Sequence, residues 1–206
     1  VQQAHGKIEV KVGHRHDDSK IRERMDAIAV RLPRSDRAGA AKPNREAARG
    51  LVRLGPRHWP CVFGEGAIAA LKREGDRATP LGRFDFRRVL YRADRISRPR
   101  TALPVRAIKP DDGWCDAPAD RNYNRPVVLP YGASAEAMWR QDVIYDLVVV
   151  LGHNDRPRKR GRGSAVFMHV WASDHSPTAG CLALAREDLL QLVSRLGPTS
   201  ALNIQG

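Results

Sequence analysis

The stretch FMHVWASDHSPTAGCLAL, residues 167–184, decides how the rest of the chain reads. An apolar run enters it at Phe167 and stops at His169, and a glycine and a cysteine stand side by side at Gly180 and Cys181. The run REDLLQLVSRLG then leaves it with Leu189, Leu192, Val193 and Leu196 spaced for one helical face. The pattern predicts a strand ending at His169 and a loop-to-helix junction at Cys181. A thiol attacks as its thiolate, and a nearby imidazole supplies that form by taking the proton. A helix start adds unpaired N–H groups and the positive end of a dipole, which favour both a thiolate and an oxyanion. Gly180 has no side chain to block the approach of backbone or substrate. A packing cysteine and a hydrogen-bonded histidine account for the same residue types, so both readings stand at this point.

Outward from this stretch the chain reads as short strands. GLVRL and HWPCVF flank Gly55-Pro56, and ATPLGRFDFRRVLYR follows, with Phe84 and Phe86 in alternation. TALPVRAI, NRPVVLPY and SALNIQ are further short candidates, and VIYDLVVVLGHN is the strongest strand signal. Glu187 and Asp188 stand early in the helical run and Gly197-Pro198 stops it. Many short strands with about one helix predict a mainly β domain of mixed sheets or a sandwich, not a doubly wound one.

Residues 1–48 differ in texture and are expected to form a basic, flexible extension, with residues 49–206 as the folded domain. Within the extension, IRERMDAIAVRL has the apolar spacing of a short amphipathic helix, and PRSDRAGAAKPNREAARG reads as a linker. His5, His14 and His16 have no acidic or cysteine partner at fixed spacing and read as solvated rather than metal-ligating.

Composition sets the outer bounds. The chain has 206 residues and a formal net charge of +13, which draws it toward polyanions such as nucleic acid, anionic lipid or anionic wall polymer. No stretch reaches the ~18–20 apolar residues needed to cross a bilayer. No leader is visible, though the chain starts at Val. Cys61, Cys115 and Cys181 are an odd number without CxxC spacing, so neither a disulfide framework nor a zinc site is expected. No phosphate-cradling glycine loop or dinucleotide fingerprint occurs, and no metal or organic cofactor is expected.

Taken together, FMH, the following loop and SPTAGCLAL resemble the signature of L,D-transpeptidase catalytic domains of the YkuD type, in which a strand-end His precedes a Ser/Thr-x-Gly-Cys turn. Upstream, ATPLGRF is similar to that family's Thr-Pro-x-Gly-x-Phe hairpin, carried here by Thr79, Pro80, Gly82 and Phe84. PDDGWCDAPADRNYNRPVVLPY, YDLVVVLGHND and GRGSAVFMHV resemble one branch of it, and the likeness spans roughly residues 50–206. The resemblance implies a β-rich fold with a helix after the cysteine. It implies Cys181 as acyl-accepting nucleophile, His169 as its base, backbone N–H groups of Gly180 and Cys181 at the oxyanion, and Thr178 shaping the turn. Its substrates are peptidoglycan stem peptides: the thiolate releases a terminal D-residue, and the thioester passes to an amine, giving a crosslink, or to water. Such a substrate implies the periplasm or cell envelope; with no leader visible, the cytoplasm stays open. Two positions depart from the common pattern. Ala179 stands where many members carry a second His, and Ala183 where they carry Arg.

Further candidates surround the pair. His153 and Asn154 at the exit of the strongest strand, Tyr123 in NYN, and Ser176 and His175 in the loop before the cysteine are candidate substrate-binding residues. Ser164, Asp174 or a backbone carbonyl is expected to orient His169. Arg156, Arg158, Lys159, Arg160 and Arg162 make RPRKRGRG the best nucleic-acid candidate. The loop lacks interleaved aromatics and a recognition motif, which disfavours nucleic acid and suits a basic rim for stem-peptide carboxylates. Two alternatives accompany the main reading: an L,D-carboxypeptidase or amidase with the same Cys181–His169 pair, and a non-catalytic basic protein that binds an anionic polymer.

Overall fold

The computed structural model describes residues 28–31 and 48–205. In chain order the strands are β1 (Ile28–Arg31), β2 (Arg49–Leu54), β3 (Arg57–Val62), β4 (Ile68–Ala69), β5 (Thr79–Pro80), β6 (Gly82–Tyr91) and β7 (Val105–Ala107). They continue with β8 (Asp112–Cys115), β9 (Arg125–Val128), β10 (Ala135–Ala137), β11 (Leu147–Leu151), β12 (Phe167–Val170) and β13 (Leu182–Leu184). Helix α1 (Arg186–Val193) and strand β14 (Ala201–Ile204) complete the described chain. The result is the mixed, β-rich fold, with a single helix among the described residues, that the strand pattern predicts.

Nine strands form the main sheet, in the order β11-β12-β13-β3-β2-β1-β14-β6-β7. The long β6 pairs with β14 through Gly82–Asp85 and with β11 through Phe86–Tyr91, so the strand order closes on itself. β8, β9 and β10 make a separate three-stranded sheet, and β4 and β5 a two-stranded one. Gly55 turns the β2–β3 hairpin in a left-handed conformation (φ 57°), which is what glycine supplies there.

The apolar run LVVVL has no polar alternation because β11 is buried on both faces. Leu147, Val149 and Leu151 face the main core, while Val148 and Val150 face a second cluster with Trp114, Met138, Tyr145 and Phe167. The same two-sidedness governs β12 and β13. Met168, Val170, Leu182 and Leu184 enter the main core, which Leu189, Leu192, Val193 and Leu196 close from α1 and its exit. Strand alternation therefore turns Phe167 and His169, and with them Cys181 and Ala183, toward the second cluster.

Two local expectations are corrected. Cys181 does not stand at a helix start: β13 intervenes, paired parallel to β12, and α1 begins only at Arg186. The segment Leu182–Leu184 is captured by the sheet because its apolar residues fill the core. Of IRERMDAIAVRL, the described residues 28–31 are strand rather than helix, hydrogen-bonded antiparallel to β2 and parallel to β14. The gap between those two strands offers backbone partners that a short isolated helix lacks. The rest of that segment, the linker, His5, His14 and His16 lie outside the described residues.

Candidate functional site

The turn 178–181 is sewn into its surroundings by two threonines. Thr178 N–H donates to the Phe63 carbonyl at 3.0 Å, and its Oγ1 donates to the Cys181 carbonyl at 2.6 Å while accepting from Gly180 N–H at 3.1 Å. Thr79, fully buried in the hairpin motif, donates to the Gly180 carbonyl at 3.0 Å and accepts from Gly64 N–H at 2.8 Å. Gly180 has φ 128°, and a Cβ there would lie 2.8 Å from the Ala78 carbonyl oxygen. Both conformation and close approach require glycine at this position.

Cys181 follows that turn, and its register places it beside Phe167. Its Sγ accepts from Phe167 N–H at 3.3 Å and donates to the Ala165 carbonyl at 3.2 Å. His169 stands directly opposite Ala183 on the neighbouring strand, with its Nδ1 2.8 Å from the Val170 carbonyl. A carbonyl only accepts, so Nδ1 carries the proton and Nε2 keeps its lone pair as a base. The backbone, not Ser164, holds this ring: Ser164 donates to Glu74 at 2.9 Å. The Tyr145 ring sits edge-on to both His169, at 5.5 Å between centroids, and Phe167, at 6.1 Å.

Cys181, His169, Thr178, Gly180, Ser176, Ala179 and Ala183 share the wall of one cavity of about 370 Å³. Burial pushes the Cys181 thiol up to about 12, with Glu136 adding to the rise and Phe167 N–H and Lys72 opposing it. Burial likewise pushes His169 down to about 4, against the Val170 hydrogen bond and with help from Arg140. Both shifts favour the uncharged forms of the thiol and the imidazole.

The other candidates fall elsewhere. His153 and Asn154 organise the basic loop: His153 Nε2 is 2.9 Å from the Arg162 carbonyl, and the Asn154 amide bridges Lys159 and Gly163. Tyr123 is buried and donates to Glu74, which does line the cavity. His175 stacks on Trp171 at 4.1 Å and does not reach the wall. Each spends its polar atoms or its ring on a neighbouring segment.

Sequence reasoning missed Lys72, Glu74, Asp116, Glu136, Arg140 and Tyr145, which complete the wall. They come from segments outside the stretch 167–184 and carry no motif of their own. Tyr145 donates to Glu136 at 2.6 Å, and burial raises the Glu136 carboxyl. Asp116 Oδ1 is buried with no hydrogen-bond partner among the described residues. Among those residues, no group of three or more His, Cys, Asp or Glu is arranged to hold a metal, and no helix is long and apolar enough to cross a membrane.

Among the described residues, a closing β-rich sheet with one helix carries Cys181 and His169 on the wall of one cavity. The chain belongs to the YkuD family: residues 48–204 match its model, the L,D-transpeptidase catalytic domain. Comparison with curated proteins and with solved structures gives no match.

Proposed function

We propose that the protein is a cysteine acyltransferase that acts on peptidoglycan stem peptides, with Cys181 as nucleophile and His169 as base. The observation that carries this reading is the meeting of the two on one cavity wall, with the His169 tautomer fixed so that Nε2 is the accepting nitrogen. In the first step the Sγ–H proton passes to Nε2 as the S–C bond forms, and the carbonyl π pair moves to oxygen. Collapse of that oxyanion breaks the C–N bond, and the imidazolium returns its proton to the departing amine of the D-residue. An acceptor amine then attacks the thioester by the same route in reverse, forming a crosslink and restoring the thiol.

The cavity carries cations at Lys72 and Arg140 and carboxylates at Glu136 and Asp116. That mixture suits a peptide bearing both carboxylate and amine groups. Such a substrate lies outside the cytoplasmic membrane, and the proposal assigns the protein to the cell envelope. Incubation with a tetrapeptide muropeptide, followed by mass spectrometry, tests the reading. Crosslinked dimer from wild type and none from Cys181→Ala supports it. Tripeptide alone assigns the hydrolytic, carboxypeptidase form, and no product from folded protein overturns it.

A further inference from the structure

Lys72 lies in LKREGD, well away from the stretch that carries the nucleophile, yet its side chain is only 7% exposed. Burying a lysine is costly unless its charge is used. Its ammonium donates to Asp76 Oδ1 and to the Arg73 carbonyl at 3.0 Å, two of three available protons. Asp76 is held in return by Arg73 N–H at 2.7 Å and Ala78 N–H at 2.9 Å. These hydrogen bonds, led by the one from Lys72, outweigh the effect of burial and keep the Asp76 carboxyl below its usual range.

Gly163 makes room for this lysine, and Gly180 lies beside its ammonium. A Cβ on Gly163 would lie 2.8 Å from Lys72 Cγ, and a Cβ on Gly180 would lie 3.5 Å from Lys72 Nζ. The stem thus passes Gly163 and delivers the ammonium to the Gly180–Cys181 turn, on the wall of the cavity. That turn is short of charge and donors in two ways. Gly180 N–H, expected to serve an oxyanion, already donates to Thr178. Ala179 and Ala183, on either side of Gly180 and Cys181, bring no charge and no donor in their side chains.

We infer that Lys72 is the cation that stabilises negative charge at this turn, first on the Cys181 sulfur and then on the substrate oxyanion. The inference rests on the reading of Cys181 as the nucleophile. Lys72 contributes its field and its third N–H. Other ionisable groups on the same wall are Glu74 and Arg77 from the lysine's own segment, Asp116 after β8, Glu136 in β10, Arg140 and Tyr145 before β11, and His169 in β12. Among these side chains Glu136 opposes the thiolate, and Lys72 is the one that favours it.

The test is the pH dependence of Cys181 alkylation by iodoacetamide, read by peptide mass spectrometry in the full chain. It needs no peptide substrate, so it stands apart from the proposed reaction. Lys72→Met is expected to raise the midpoint by about one pH unit, or about tenfold slower alkylation below it, with Lys72→Arg within about threefold of wild type. The double variant Lys72→Met/Asp76→Asn strands no buried carboxylate and is expected to shift the midpoint equally. With muropeptide, kcat/KM falls by about 100-fold in Lys72→Met. An unchanged midpoint in folded Lys72→Met or in the double variant overturns the inference and leaves Lys72 as an anchor for residues 72–78. A shifted midpoint with no turnover in wild type keeps the inference and removes the proposed reaction instead.

Discussion

The Cys181 thiol donates to the carbonyl of Ala165 at 3.2 Å, a residue of the loop that leads into β12. The sulfur is thus fixed by backbone on both sides, since Phe167 N–H reaches it at 3.3 Å. Held this way and buried, the thiol rises to about 12. Alkylation of Cys181 in wild type is therefore expected to be slow at pH 7 and to climb through pH 9 and above. Peptide-resolved labelling kinetics check this, and a fast plateau below pH 7 contradicts a neutral resting thiol.

Stability at low pH follows from the imidazole. His169 falls from an ordinary 6.5 to about 4 in the fold, so the unfolded chain binds the proton first. That contribution is intact above about pH 6.5 and is lost as pH falls toward 4, amounting to ~3 kcal/mol at most. His169→Gln is expected to flatten the loss across that window in urea titrations. An unchanged pH slope in the variant contradicts it.

Gly180→Ala places a methyl 2.8 Å from the Ala78 carbonyl oxygen at a backbone angle that L-residues rarely adopt. The expected cost is about 2–4 kcal/mol, with loss of Cys181 labelling selectivity as the turn shifts. Thermal unfolding measures the first, and labelling the second.

Thr79→Val keeps the shape but strands Gly64 N–H and releases the Gly180 carbonyl. A loss of about 1–3 kcal/mol is expected, largely restored by Thr79→Ser. If Val and Ser variants unfold alike, the hydroxyl is not what clamps the turn.

Asp146 is almost wholly buried, 2.8 Å from Arg95 and 3.6 Å from Arg186. Arg95 also donates to the Gln141 and Asp142 carbonyls, next to the cavity residues Arg140, Ile144 and Tyr145. Asp146→Ala is expected to cost about 3 kcal/mol and to raise KM for muropeptide more than it lowers kcat. Denaturant midpoints and steady-state kinetics separate the two effects.

The sequence shows its strands most clearly where the burial is strongest, as at Leu147–Leu151, and the helical face Leu189, Leu192, Val193 and Leu196 was legible from spacing alone. That Cys181 and His169 share one cavity wall could be anticipated because strand end, glycine and cysteine fall within one short stretch. The strand Leu182–Leu184 was hidden because three residues are too few to show a period, and only a parallel partner makes them a strand. The cavity's acids and cations were hidden for another reason. Lys72, Glu136 and Arg140 share a cavity wall with Cys181 only in the folded sheet, and a lone charged residue in a sequence reads as solvated surface. His153 and Asn154 show the converse: polar residues at a strand exit looked like ligand groups, yet the backbone of the basic loop uses them.

The central claim, that Cys181 carries the acyl group, is tested most directly by intact-protein mass spectrometry. The protein is mixed with tetrapeptide muropeptide, quenched in acid within the first turnovers and compared with Cys181→Ala. A mass increase equal to the muropeptide minus its terminal D-residue and the hydrogen lost from sulfur, mapped to Cys181 and absent from the variant, is the predicted result. Product formed without that adduct, or an equal adduct in Cys181→Ala, contradicts the account.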